Sequence, residues 1–199
     1  MPIPLLVLYG TTDGQTAKIA AAIADTLRSQ AAEVDLVNAA DRHANPLPDG
    51  YAAVVVAASV HAGGYQSAVR RWVKAHAGAL ATRPTAFVSV CLGVLEHNPR
   101  TDAELSKIAN KFFALTGWQP TVLKIVAGAL KYTKYNWLKR WIMRRIVAKA
   151  HGDTDTSRDY EYTDWNDLKA FAIEFKRRSE ARSSEATTPD GQIPLPSIA

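Results

Sequence analysis

Ile3-Pro4-Leu5-Leu6-Val7-Leu8-Tyr9-Gly10-Thr11-Thr12-Asp13-Gly14-Gln15-Thr16 is a strand-length apolar run that breaks into glycine, hydroxyl and amide residues where a helical spacing begins. The part from Ile3 to Tyr9 does not alternate with polar residues, as expected of a strand covered on both faces. Beyond Gln15, Ile19, Ile23 and Leu27 share one helical face. The turn between them suits an oxyanion. The first N–H groups and the dipole of the helix favour a dianion, Gly10 and Gly14 permit close backbone approach, and Thr11, Thr12 and Thr16 offer hydroxyl donors. A Walker loop requires Gly-Lys-Ser/Thr and a dinucleotide turn requires Gly-x-Gly-x-x-Gly; this loop has neither, so a terminal monophosphate is the better fit. Taken alone, the loop also fits a tight strand-to-helix turn that binds nothing.

Outward from this unit the pattern repeats. Glu33 to Asn38, Ala52 to Ala58, Thr85 to Cys91 and Thr121 to Leu130 read as further strands, and Val69, Trp72, Val73, His76 and Leu80 share a helical face. Thr101 to Glu104 has the form of a capping box ahead of Leu105, Ile108 and Phe112, and Thr163 or Asp164 can cap a last helix running to about Arg178. His43 to Gly50, with Pro46 and Pro48, reads as an irregular link. Parallel neighbours need crossover connections, so this alternation predicts an α/β, doubly wound, five-stranded parallel sheet of order 2-1-3-4-5. Residues 1–179 are expected to form one domain with an insert over 130–162, and 180–199, rich in Ser, Thr, Pro and Ala, a disordered tail.

A chain of 199 residues that is 47% hydrophobic can bury a full core, and no stretch is apolar for long enough to span a membrane. The N-terminus lacks a secretory pattern, and the single Cys91 has no disulfide or zinc partner, so the cytosol is expected. No grouping of His, Cys or carboxylates has metal-ligand spacing. The net charge is +5, yet residues 105–152 hold ten Lys or Arg and no Asp or Glu, which leaves the rest of the chain net acidic. Such a segment calls for an anionic partner: lipid, a carboxylated substrate or nucleic acid.

Two further glycine-bearing loops, Ser59 to Tyr65 and Leu92 to Glu96, follow the third and fourth strands. In an open α/β sheet, ligands sit beyond the carboxyl ends of the strands near the point where strand order reverses. The three loops together resemble the flavin loops of the flavodoxin family, which implies FMN as cofactor. By that resemblance Thr11, Thr12, Asp13, Gly14, Gln15 and Thr16 match the phosphate loop, Ser59, Val60 and His61 the second loop, and Cys91, Leu92 and Gly93 the third. The third loop departs from electron-carrier flavodoxins in lacking an aromatic, which leaves one flavin face open for a planar substrate.

The insert has its own character. Trp137, Leu138, Trp141, Ile142 and Ile146 fall on one side of a helical spacing, with Lys139, Arg140, Arg144 and Lys149 largely elsewhere. A basic amphipathic helix suits an anionic membrane surface, and equally a helix docked on its own sheet. No nucleic-acid motif accompanies it. Ala127-Gly128-Ala129-Leu130-Lys131-Tyr132, Gly152-Asp153-Thr154-Asp155-Thr156 and Tyr162-Thr163-Asp164-Trp165 resemble the menaquinone-dependent protoporphyrinogen oxidases of bacteria, and the similarity extends over roughly residues 4–178. That family implies FMN-dependent oxidation of protoporphyrinogen IX in haem biosynthesis, with menaquinone or ubiquinone as acceptor, on the inner face of the cell membrane. Lys131, Lys134, Trp137, Arg140, Trp141, Arg144 and Arg145 are then candidates for substrate propionates or lipid, and His61 and Tyr65 for catalysis. The catalytic base and any homo-oligomer stay open. A soluble electron carrier and an NAD(P)H:quinone reductase are the alternatives on this fold.

Overall fold

A computed structural model of the chain describes residues 3–61, 63–96, 98–134 and 155–187. Strand β1 (Leu5–Gly10) leads into α1 (Gln15–Ser29) and β2 (Val34–Asn38). β3 (Ala53–Ser59) is followed by α2 (Ser67–Ala75) and α3 (Ala77–Ala81), and β4 (Thr85–Cys91) by α4 (Pro99–Thr116). β5 (Val122–Ala127) completes a parallel sheet of order β2-β1-β3-β4-β5, as the sequence predicts. Neighbouring strands end level, with Gly10 beside Ala58, Ser59 beside Val90 and Cys91 beside Ala127, so the loops after β1, β3 and β4 share one rim.

The unbroken apolar runs have a plain cause. In β1, Leu5 and Val7 face a layer formed by α1 and the last helix, where they meet Ile19, Ile23, Leu27, Leu168 and Phe175. Leu6 and Leu8 face the opposite layer, with Val69, Trp72, Val73, Phe87, Phe112, Phe113 and Trp118. Each strand residue points to one face or the other, and both faces are dry, so Leu5 to Leu8 are apolar without a break. The link at 43–50 contains only a short 3-10 turn (Pro48–Gly50), and the Arg83 guanidinium docks it by donating to the carbonyls of Pro48 and Tyr51.

Three boundaries differ from expectation. α4 begins at Pro99, with the Asn98 side chain accepting from the Thr101 N–H at 2.9 Å; Thr101 therefore lies inside the first turn and is not the cap. Proline, pre-set in φ and lacking an N–H, is favoured at that first helical position. The stretch Thr121 to Leu130 is two strands: β5 ends at Ala127, and after Gly128 the chain forms β6 (Ala129–Leu130), paired antiparallel with β7 (Tyr160–Glu161). This ribbon is the base of the insert. The last helix, α5 (Trp165–Thr187), passes Arg178 and enters the segment expected to be tail. Phe175 and Ser179 keep it on the body, and the pairs Glu174–Arg177, Glu174–Arg178 and Lys176–Glu180, spaced one turn apart, support it. Of the expected caps, Asp164 accepts from the N–H groups of Asn166 and Asp167, both at 3.0 Å.

Candidate functional site

β1 and β3 are the strands between which the chain reverses direction across the sheet, and α1 starts at that point. Gly14 holds φ 93° and ψ −14°, a left-handed conformation that glycine adopts without penalty, and its N–H donates to Thr11 Oγ1 at 2.9 Å. The turn thereby aims the first N–H groups of a 15-residue helix at the space above the rim. Thr16 is 1% exposed, and its hydroxyl has no partner among the described residues. A buried hydroxyl without a partner costs about 1–3 kcal/mol, so a hydroxyl kept there at the start of a long helix fits an anion that completes it. Asp13, an anion itself, can serve a phosphate only through its backbone.

The first and second loops are joined by a polar residue that belongs to no motif in the sequence. Gln66, at the start of α2, donates from Nε2 to Thr12 Oγ1 at 3.1 Å and to Ser59 Oγ at 2.6 Å, and its Oε1 accepts from the Ser59 N–H at 3.2 Å. Gly10 carries its own signal of this proximity: a Cβ there would come within 2.5 Å of Val69 Cγ2 and 3.2 Å of Gln66 Cβ. The Val60 N–H is spent on the Val90 carbonyl. His61 is exposed, exchanges both backbone hydrogen bonds with Gly64, and lies 3.1 Å from Ser59 Oγ through Nε2. Tyr65 points the other way. Its ring meets Phe87 and Phe112 edge-on at 4.9 and 5.1 Å, and its hydroxyl is 2.8 Å from Ser89 Oγ. Burial pushes its phenol up to about 12, against the pull of the Ser89 hydrogen bond, so it holds its proton at neutral pH.

In the third loop Cys91 is buried, which raises the thiol and keeps it protonated, and its carbonyl accepts from the Gly128 N–H. Leu92 packs against the cluster of Leu130 and Tyr132, on which Tyr160 and Tyr162 also rest, so the insert's base adjoins this loop. A Cβ at Gly93 would come within 3.2 Å of Thr101 Cγ2, which leaves little room for a larger residue. The third loop, which lacks an aromatic of its own, thus lies against a cluster that contains Tyr132.

Two lysines of the basic segment have acidic neighbours among the described residues. Lys124 pairs with Asp167, and Lys131, whose side chain is 14% exposed, lies 3.8 Å from Asp159. Lys134 ends a 3-10 turn (Tyr132–Lys134), while Trp137, Arg140, Trp141, Arg144 and Arg145 lie outside the described residues. Among the described residues no helix is long and apolar enough to cross a membrane, and no group of three metal-ligating side chains occurs.

A glycine turn feeding a helix at the reversal point of a 2-1-3-4-5 sheet, with two more loops on the same rim, defines a mononucleotide-binding α/β protein of the flavodoxin type. Residues 6–157 match the family model described as a flavodoxin domain, and the chain belongs to that family. It is 37% identical over 169 residues to the protoporphyrinogen IX dehydrogenase [quinone] of Escherichia coli K12, covering 85% of this chain and 92% of that protein. With the protein of the same name from Leishmania major it shares 34% identity, covering 85% of this chain and 73% of the relative. In fold it is similar to flavodoxin 1 of Bacillus cereus, with a TM-score of 0.52 at 13% identity, covering 87% of this chain and 97% of that one.

Proposed function

We propose that the chain is an FMN-dependent oxidoreductase that dehydrogenates protoporphyrinogen IX and delivers the electrons to a quinone, menaquinone or ubiquinone. The observation that carries the substrate is the 37% identity extending along 92% of a relative whose name states that reaction. The observation that carries the cofactor is the cradle itself: a left-handed Gly14, free helix N–H groups and a buried Thr16 hydroxyl without a partner among the described residues, all suited to a terminal phosphate.

FMN, when bound, supplies the redox chemistry, accepting reducing equivalents from one partner and yielding them to another. The chain's own residues position it. Thr11 and Thr12 and the backbone of Asp13, Gln15 and Thr16 would hold the phosphate end, and Gly14, whose N–H is taken by Thr11, shapes the turn. Ser59 and His61 on one side, and Cys91, Leu92 and Gly93 on the other, border the ring. Thr12 and Ser59 are fixed by Gln66 before any ligand arrives, which lowers the ordering cost of binding. Tyr65 is too firmly protonated to remove a substrate proton, which leaves His61 as the acid or base candidate. The substrate is a broad apolar macrocycle with carboxylates, and the quinone resides in lipid. Lys131, Lys134, Trp137, Arg140, Trp141, Arg144 and Arg145 are the residues we assign to propionates or to an anionic membrane surface on the inner face of the cell membrane.

Anaerobic addition of protoporphyrinogen IX to the flavin-loaded protein should bleach the flavin absorption, and a menaquinone analogue should restore it. Bleaching by NAD(P)H with none by the porphyrinogen would assign a quinone reductase instead. Membrane contact is tested separately: Trp141→Glu should lower partitioning onto anionic vesicles, and unchanged partitioning would remove Trp141 from the lipid-facing set.

A further inference from the structure

The insert leaves the sheet at Gly128 and returns at Tyr162, whose N–H donates to the Gly128 carbonyl at 3.1 Å. The next residue, Thr163, is 8% exposed and reaches across the rim in two directions. Its hydroxyl donates to the carbonyl of Ala127, the last residue of β5, at 2.8 Å, and accepts from Gln15 Nε2 at 3.0 Å. Gln15 is the first residue of α1 and is 5% exposed. Its amide also hydrogen-bonds the Glu161 carboxylate, which takes further bonds from Lys18 and from the Trp165 indole N–H. Burial alone would raise the Glu161 carboxyl, but these donors outweigh it and hold it below its ordinary value.

The amide therefore commits its N–H groups to Thr163 and Glu161, while Oε1 is buried without a partner among the described residues. An acceptor oxygen has nothing to offer a phosphate. Gln15 contributes its backbone N–H to the cradle, and its side chain is a strut that fixes where that N–H points. We propose that Thr163 is a positioning residue of the phosphate loop: through Gln15 it locks the first turn of α1 to the end of β5 and to the ribbon that closes the insert. The inference rests on the reading of this loop as a phosphate cradle. It makes the insert's point of return part of the cofactor site, although neither Thr163 nor Glu161 needs to touch the cofactor. A donor set held in place before the ligand arrives binds an anion more tightly than one that must be ordered by it.

Riboflavin carries the same ring without the phosphate, so it separates positioning of the cradle from general loosening of the fold. In Thr163→Val the dissociation constant for FMN should rise about tenfold, the scale of one hydrogen bond's contribution, while that for riboflavin stays within about twofold. Thr163→Ser, which keeps the hydroxyl, should restore the ratio. Glu161→Gln, at a partly exposed site where misfolding is not a concern, should shift the ratio the same way by a smaller factor. If Thr163→Val weakens both flavins equally, or leaves the ratio unchanged, Thr163 is structural only and the inference falls. If Thr163→Val does not fold, the Glu161→Gln ratio decides alone, and no shift there overturns the proposal. If the unaltered protein binds FMN no more tightly than riboflavin, the cradle reading itself is wrong, a result distinct from either of these.

Discussion

Gly10→Ala should lower the melting temperature and weaken FMN binding together, although the residue has no side chain and the change adds a single methyl. The new Cβ would come within 2.5 Å of Val69 Cγ2, closer than carbon atoms approach, and within 3.2 Å of Gln66 Cβ. Val69 is fully buried and β-branched on a helix, so it cannot rotate away. Gln66, the other neighbour, is the residue that joins the first two loops. α2 must therefore move outward from β1, and overpacking of this kind costs about 1–3 kcal/mol. The same displacement draws Gln66 away from Thr12 and Ser59, so FMN affinity should fall by roughly ten- to a hundredfold, the equivalent of one or two hydrogen bonds. Gly78→Ala is the control: nothing lies within 4 Å of a Cβ there, and the residue is inside α3. That substitution should stabilise slightly, by about 0.5–1 kcal/mol, since alanine is the better helix former. Equal melting temperatures and equal FMN affinities for Gly10→Ala and the unaltered protein would show that α2 yields without cost, and that loop spacing is not set there.

The fold was legible because its signal is redundant. Each central strand is mainly apolar on both faces, and the helix between strands restores the other period, so sheet order and parallel sense follow from a few residues such as Leu5 to Leu8 and Ile19, Ile23 and Leu27. The phosphate turn was legible for the same reason, since glycine, hydroxyl and helix start coincide within Gly10 to Thr16. What the sequence hid are contacts between residues far apart in the chain. Gln66 reads as an ordinary polar residue before a helix, and only the register that puts Gly10 beside Ala58 brings it over Thr12. Thr163 reads as a cap, one of two adjacent choices, until the structure shows that Asp164 performs that task and Thr163 reaches Ala127 and Gln15. Tyr65, a hydroxyl-bearing aromatic in a cofactor loop, reads as a catalytic candidate. Its environment, Phe87, Phe112 and Ser89, comes from two other elements that no local pattern reports. The end of the last helix is the exception: residues from 180 onward have the composition of a tail, but α5, held by the buried Ser179 and turn-spaced ion pairs up to Glu180, continues to Thr187.

Thr16→Val should move stability and cofactor binding in opposite directions, which no general loosening of the fold can do. Valine and threonine share shape and β-branching, so the helix geometry at this position is retained. The threonine hydroxyl is 1% exposed with no protein partner among the described residues, a burden on the folded state unless a ligand completes it. Its removal should leave the flavin-free melting temperature unchanged or raise it, by up to about 1 kcal/mol of stability. The bound phosphate is a dianion, and a hydroxyl donating to it makes a charge-assisted hydrogen bond worth about 1.5–3 kcal/mol. FMN affinity in Thr16→Val should then fall by roughly ten- to a hundredfold, with riboflavin affinity unaffected. The lost hydrogen bond also leaves a phosphate oxygen against a methyl group, so the upper part of that range is expected. Titration of both flavins, together with flavin-free melting curves, measures all three quantities. An FMN affinity equal to that of the unaltered protein would place the phosphate elsewhere on the rim. A fall in flavin-free stability would mean that the hydroxyl already has a partner inside the protein, and that helix α1 is completed without an anion.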